Sequence, residues 1–391
     1  MFIEIVLAIL IGTIIGIFTG LIPGLHINLI CALLMPFSYL FDRYWLSEFI
    51  ISAAMAQVFS ANLHSIFLGA PEESTALSIL PGHRMLIRGE GLIALKIVLI
   101  GCLLGTIISI ALFPLFLLAM KLYTASYLIY FLLFIALLMI FRDKNKTWAL
   151  ITFLCSGILG LIVFNYATVN EPMLPMLSGL FGLSTMIISI QRKEHVPKQK
   201  NTVIKIEARK YWNVLVFGQA SGFLTALFPG LSSGMGATIS SQLTKFDDKG
   251  FLMITGVISA ANLVLSLGTL QVLGKARNGS VVAIQQMLTA NTDNIFLLLV
   301  VLLATAIASF YLVLLVGRIY CRFVERVNYT TTSLFVIGIL AILVAVLDGW
   351  QGLAILFFST LIGITASRLG VSRINCMGCI ILPVIINLGK F

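Results

Sequence analysis

Apolar runs of about 18 residues or more recur along this whole chain, and they constrain its fold more than any other feature. Each run is long enough to cross a hydrocarbon core of roughly 30 Å as a helix. Only 10% of the residues are charged, whereas a soluble domain has about 25%. The sequence therefore predicts an all-α, polytopic protein of the cell membrane, with roughly ten spans and two re-entrant segments.

A basic segment divides the chain into two parts of similar length. Within residues 192–210 seven Lys and Arg residues stand against two Glu residues. Cytoplasmic loops of membrane proteins are rich in Lys and Arg, so this segment and the net charge of +10 indicate topology and not nucleic-acid binding. We expect a membrane repeat over 1–190, a cytoplasmic basic linker over 191–210 and a second membrane repeat over 211–391.

Three resemblances between the two parts occur in the same order. GIFTGLIPGL (16–25) matches GFLTALFPGL (222–231) at six of ten positions, and SANL (60–63) matches AANL (260–263). A Gly- and Arg-containing stretch at 82–94 then corresponds to 274–283. The order predicts an internal duplication in which Asn62 and Asn262 occupy matching places.

The distribution of Lys and Arg predicts that the two repeats have opposite orientations. Counting spans between basic loops puts the loop around Arg84–Arg88 inside the cell and the corresponding loop around Lys275–Arg277 outside. The sequence therefore predicts an inverted-topology repeat, in which each half crosses the membrane an odd number of times. We then expect Lys275 and Arg277 to face a substrate on the outer side, because ionisable residues within a membrane protein are energetically costly and usually functional.

Each repeat carries a Pro-Gly pair inside an apolar run, and the pair ends a helix. Broken backbone at membrane depth is tolerated only where it is buried in protein or lines a polar cavity. The free N–H groups of a half-helix that starts there favour an anion. Two such starts meeting at the midplane fit the plan of secondary transporters. The residues that we expect to bind the substrate are Thr19, Gly24, His26, Asn28, Asn62, Arg84, Thr225, Gly230, Ser232, Ser233, Gly234, Asn262 and Arg277.

Three further ionisable residues are candidates for ion or proton coupling. Glu72 and Glu73 lie beside a proline in a weakly apolar stretch, and burial there would raise their pKa values. His64 is two residues beyond Asn62 and fits either a proton carrier or a packed, hydrogen-bonded histidine. No cofactor and no metal site is expected.

Several segments of this chain resemble those of two known transporter families. GTIIGIFTGLIPGLHINL (12–29), PEESTALSILPGHRMLIRGEG (71–91) and the second Pro-Gly phrase are similar to the TctA family, the large membrane subunits of tripartite tricarboxylate transporters, and to its shorter archaeal-type relatives. The resemblance implies ion-gradient-driven uptake of a carboxylate, with a small membrane subunit and an extracytoplasmic binding protein as partners. PGLSSG (229–234) also resembles the motif of undecaprenyl-phosphate translocases, which leaves a lipid phosphate as the alternative substrate.

A serine hydrolase is the remaining alternative, because residues 230–234 satisfy G-x-S-x-G. His26 matches Ser232 across the repeat and would be the base of a Ser232–His26 dyad. The sequence offers no acid partner and no strand-turn-helix context, and the first copy of the phrase has no Ser. We therefore expect no catalytic residue and a transporter, not an enzyme.

Overall fold

A computed structural model describes residues 2–22, 26–69, 75, 79–121, 127–191, 197–200, 208–228, 231, 233–274, 276, 278–289, 291–326 and 329–388. These residues form helices joined by turns, and no strand occurs among them. Eight of the described helices are long and apolar enough to cross a membrane. The prediction of an all-α, polytopic membrane protein is confirmed.

Among its described residues, the first half of the chain has ten α-helices. They are α1 (Phe2–Leu21), α2 (Ile27–Leu34), α3 (Arg43–Phe67), α4 (Ile79–Ile87), α5 (Gly91–Ala111), α6 (Phe113–Met120), α7 (Tyr127–Arg142), α8 (Lys146–Tyr166), α9 (Met173–Leu177) and α10 (Ser184–Gln191). A 3-10 turn over Met35–Leu40 joins α2 to α3, and a π-helical turn over Ser178–Leu183 joins α9 to α10.

In the described part of the chain, seven α-helices follow from residue 208 onward. They are α11 (Ala208–Leu227), α12 (Ser233–Leu243), α13 (Asp248–Leu273), α14 (Gly279–Met287), α15 (Thr292–Arg326), α16 (Tyr329–Arg368) and α17 (Gly378–Leu388). α16 is broken at Gly349, whose φ of 63° lies in the left-handed region that favours glycine. The break divides this helix, which is too long for one crossing, into two arms.

The first five helices of each half follow the same pattern of lengths. Each half has a long helix, a short helix, a second long helix, another short helix and a third long one. The second long helix starts in the same way in both halves. The Asp42 carboxylate accepts the N–H groups of Tyr44 and Trp45 ahead of α3, and the Asp247 carboxylate accepts that of Gly250 ahead of α13. The two N-cap aspartates therefore identify equivalent positions in α3 and α13.

The two halves interlock at the centre of the molecule. α3 and α13 are almost wholly buried, and each packs along the fifth helix of the opposite half. Gly101 of α5 lies directly against the backbone of Met253 in α13, and Thr305 of α15 donates a hydrogen bond of 3.1 Å to Ser52 of α3. The core therefore belongs to both halves together.

Glycines allow the first helix of each half to approach its neighbour closely. On α1, residues Gly12, Gly16 and Gly20 recur every four positions, and a Cβ at each would overlap α3. On α11, Gly218 and Gly222 face α13 in the same way. Small residues at four-residue spacing are a common means of close helix packing in membranes.

The corresponding helices α3 and α13 run in opposite directions. Gly82 of α4 lies against Ile66 near the end of α3, and Arg84 of α4 forms an ion pair of 2.8 Å with Asp248 at the start of α13. The end of α3 and the start of α13 are thus at the same face of the molecule. This geometry supports the inverted repeat, which stays a prediction until the two faces are labelled.

Labelling from the two sides of the membrane tests the inversion. In a background without other cysteines, Arg88→Cys after α4 and Thr289→Cys after α14 are expected to react with an impermeant maleimide from opposite sides. Both positions are exposed. Reaction of both cysteines from the same side would contradict the inverted repeat.

Candidate functional site

Each Pro-Gly phrase separates a long helix from a short one. In the first half α1 ends at Leu21 and α2 begins at Ile27, and in the second α11 ends at Leu227 and α12 begins at Ser233. Several residues of the two phrases fall outside the described part of the chain, namely Pro23, Gly24, Leu25, Pro229, Gly230 and Ser232. The observed bounds agree with helix breaks at both phrases.

α1 and α2 form a helical hairpin, with Ile27 near its tip. α1 runs parallel to α3, because Gly12 lies against Phe49 and Gly20 lies against Ser60. After the tip, the backbone N–H of Ile27 donates a hydrogen bond of 2.9 Å to Oε1 of Gln57. The chain then returns through α2 and the 3-10 turn to the start of α3.

α11 and α12 form a matching hairpin that enters from the opposite face. α11 runs parallel to α13, because Gly218 lies against Val257 and Gly222 lies against Ala261. α12 then folds back along α11, and the hydroxyls of Ser221 and Ser240 are 2.8 Å apart. Since α3 and α13 run in opposite directions, the two hairpins point toward each other.

The starts of α2 and α12, near the tips of the two hairpins, meet at one cavity of about 70 Å³, here called the central cavity. Its walls come from the start of α2, the middle of α3, the start of α12, the middle of α13 and the cap of α14. The lining residues are His26, Ile27, Ala54, Gln57, Val58, Ala61, Ser233, Ser259, Asn262, Leu263 and Asn278.

The central cavity lies about halfway along the two central helices. Gln57 is 14 residues from the start of α3, and Asn262 is 14 residues from the start of α13. At 1.5 Å per residue each amide is about 21 Å from the start of its helix. The cavity therefore lies about midway between the two ends of these helices.

His26 caps the start of α2 and presents a donor to the central cavity. Its Nδ1 accepts a hydrogen bond of 3.3 Å from the backbone N–H of Asn28. A neutral imidazole that accepts at Nδ1 carries its proton on Nε2. The exposed ring can therefore donate a hydrogen bond to an anion from Nε2.

The first two N–H groups of α2 already have acceptors, which changes how an anion would bind there. The N–H of Ile27 is taken by Gln57 and that of Asn28 by His26. The sequence predicted direct binding by these backbone groups. In the structure side chains cap them, so His26, the hydroxyl of Ser233 and the amide of Asn278 are the better candidates.

Two threonines occupy equivalent positions one turn before the breaks. Thr19 donates a hydrogen bond of 3.0 Å to the carbonyl of Gly16, and Thr225 donates one of 3.0 Å to that of Gly222. The amide of Asn262 donates to Oγ1 of Thr225 over 3.0 Å. The Asn262–Thr225 contact links the end of α11 to α13. Neither threonine is among the residues that line the central cavity.

A third helix start contributes to the central cavity from α14. Asn278 caps this helix by accepting hydrogen bonds from the N–H and the hydroxyl of Ser280 through Oδ1. Asn28 lies against Gly279, so a side chain at position 279 would collide with it. The start of α14 is therefore held beside the start of α2.

Several predicted site residues lie away from the central cavity. The amide of Asn62 donates to the carbonyls of Val58 and Phe59 in its own helix. His64 is fully buried and its Nδ1 donates to the carbonyl of Gly20 over 2.8 Å, as a packed histidine does. Arg84 lies at the face of the molecule and pairs with Asp248.

Other predictions concern residues that the structure does not describe. Glu72, Glu73 and Arg277 are outside the described part of the chain, as is Ser232 of the hydrolase alternative. Gly234 is buried in the first turn of α12.

Gln57 and Asn278 line the central cavity but were not predicted from the sequence, and a signal for Gln57 was available. Gln57 stands 15 positions after the N-cap Asp42, and Asn262 stands 15 positions after the N-cap Asp247. Asn62 stands 20 positions after its cap, so the short SANL echo aligned the two helices five residues out of register. Counting from the two aspartates would have paired Gln57 with Asn262.

Comparison with known proteins gives two matches. A family model described as the tripartite tricarboxylate transporter TctA family matches residues 6–378. An uncharacterized protein of Methanocaldococcus jannaschii is 28% identical over 404 aligned positions, which cover 97% of this chain and 98% of the relative. No solved structure matches the chain.

Proposed function

The chain belongs to the tripartite tricarboxylate transporter TctA family, and from this premise we propose that it is the permease for an anionic substrate, a carboxylate, bound at the central cavity. The observation that carries this proposal is the meeting of two half-helix starts at one cavity about midway along the two central helices. The positive ends of two helix dipoles favour negative charge there.

The groups around the central cavity suit a carboxylate. Nε2 of His26, the hydroxyl of Ser233 and the amide of Asn278 can each donate a hydrogen bond, and the cavity-lining residues include no carboxylate of their own. Hydrogen bonds to a charged group contribute about 1.5–3 kcal/mol each. Donors from both hairpins would close together around one bound anion.

The small volume of the central cavity indicates a state in which the substrate has no room. A cavity of about 70 Å³ holds only a few water molecules, which need about 10–15 Å³ each. A tricarboxylate is far larger. Binding therefore requires the two hairpin tips to move apart, as rocking of one repeat against the other would allow.

A matched pair of substitutions at His26 tests the anion site. Asn and Asp both cap a helix well and have the same shape, but only Asp is charged. We expect His26→Asn to keep citrate affinity within about fivefold and His26→Asp to lower it at least about tenfold, which is 1.4 kcal/mol. Binding of labelled citrate to the purified chain measures both values without a partner subunit.

Transport is tested by uptake into proteoliposomes under an imposed proton or sodium gradient. Uptake of citrate or a related carboxylate by the wild type, reduced in His26→Asp, would support the proposal. Equal citrate affinities of the Asn and Asp variants would contradict the site. Movement of a polyprenyl phosphate without carboxylate uptake would favour the lipid-phosphate alternative.

Partner subunits belong to the proposal as well. The family is named for a tripartite system, so we propose a small membrane subunit and an extracytoplasmic binding protein as partners of this chain. Citrate binding without gradient-driven uptake by the chain alone would indicate that such partners are required.

A further inference from the structure

A second, larger cavity of about 940 Å³ opens where several helix ends come together at one face of the molecule. It lies between α4, the α7–α8 connection, α10 and the segment that follows α16. Its charged lining comprises six cationic side chains and one carboxylate, namely Arg84, Arg88, Arg142, Lys144, Arg368, Arg373 and Asp143. We call it the basic cavity.

Arg373 is built into the wall of the basic cavity. Its side chain is only 8% exposed. Nε donates to the hydroxyl of Ser367 over 2.6 Å, and Nη1 donates to the hydroxyls of Ser184 and Thr185 and to the carbonyl of Phe181. These contacts fix the plane of the guanidinium group, and a buried arginine held in this way differs from a cation on a mobile loop.

Among the described residues, the carboxylates near the basic cavity, Asp143 and Asp248, already have partners. Oδ2 of Asp143 accepts hydrogen bonds from the N–H of Ser372 and the amide of Asn375, at 2.8 and 2.9 Å. Asp248, outside the lining, pairs with Arg84 and lies 3.6 Å from Arg88. The lining therefore keeps a clear excess of positive charge, and a concave surface of one sign concentrates counter-ions.

We propose that the basic cavity binds a compact anion that carries two or more phosphate or carboxylate groups. Its volume is within the range of about 300–1,000 Å³ that is usual for small-molecule sites. Arginines bind such groups through paired hydrogen bonds. The positive-inside rule accounts for cations on this face, but it does not require them to gather in a cavity around a buried arginine. The site is separate from the central cavity and does not depend on the transport proposal.

Pyrophosphate is a suitable probe, and its binding to the full chain in neutral detergent can be measured by calorimetry. Arg142 and Arg368 are exposed, so the double variant Arg142→Gln/Arg368→Gln is expected to fold normally. We expect it to bind pyrophosphate at least tenfold more weakly than the wild type. The control Lys245→Gln/Lys249→Gln removes two exposed cations that do not line the cavity and is expected to stay within twofold.

Three results would overturn the proposal. They are no binding of pyrophosphate to the wild type, equal weakening in the lysine control, and equal weakening by His26→Asp at the central cavity. Nanodiscs separate two sources of the anion. Loss of pyrophosphate binding when cardiolipin, whose headgroup carries two phosphates, is added to phosphatidylcholine assigns the basic cavity to a lipid headgroup, and unchanged binding assigns it to a soluble anion.

Discussion

Replacing Gly101 by valine is expected to prevent the two halves from assembling. A Cβ at this position would lie 2.2 Å from the carbonyl oxygen of Met253 and 3.1 Å from its carbonyl carbon. The obstacle is the backbone of the buried helix α13, so no side chain can rotate away. A Cβ on Gly256 of α13 would lie equally close to α5, at 2.3 Å from the carbonyl oxygen of Val98.

Overpacking of a well-packed core usually costs about 1–3 kcal/mol, and a collision between two backbones belongs at the upper end of this range or above it. Size-exclusion chromatography of the solubilised Gly101→Val variant is expected to show aggregate or no protein. The control is Gly338→Val in α16, where a Cβ meets nothing within 4 Å. A monodisperse Gly101→Val variant with wild-type thermal stability would contradict the close contact of α5 and α13.

Substitution of Gln57 by leucine is expected to free the tip of the first hairpin and to lower uptake at least about tenfold. The N–H of Ile27 is buried and loses its acceptor, which costs about 1–3 kcal/mol. The same loss removes the contact that holds the start of α2 against α3. Thermal unfolding of the purified protein and proteoliposome uptake measure the two effects.

Asn62→Leu is the matched control for Gln57→Leu. Both residues are buried amides on α3, but Asn62 donates only to carbonyls of its own helix, at 2.9 and 3.2 Å. Those carbonyls keep their intrahelical N–H partners after the substitution. We expect uptake within about twofold of the wild type. Similar losses in both variants would show that Gln57 has no special place at the hairpin tip.

Much of this architecture follows from local features of the sequence. Long apolar runs predict the helices, and the Pro-Gly pairs after Ile22 and Phe228 predict the two breaks. The excess of Lys and Arg at 84–88 and 192–210 predicts which helix ends lie on the same side of the membrane. All of these are local signals, and local signals determine where helices start, end and insert.

The details of the site depend on packing between distant segments, which local signals do not encode. Arg84 carries the charge that suits an anion, yet α4 places it at the face of the molecule beside Asp248. Gln57 is one of several polar residues on α3, and the hydrogen bond that it accepts from the N–H of Ile27 distinguishes it from the others. Asn278 joins the central cavity because α14 packs beside α2.

The interlocked core also bears on the ancestry of the chain. Each central helix is covered by the fifth helix of the other half, and α3 and α13 run in opposite directions. A polypeptide equal to one half could cover its own central helix only by pairing with a second copy inserted upside down. The predicted duplication therefore implies an ancestor that formed a homodimer of two copies inserted in opposite orientations.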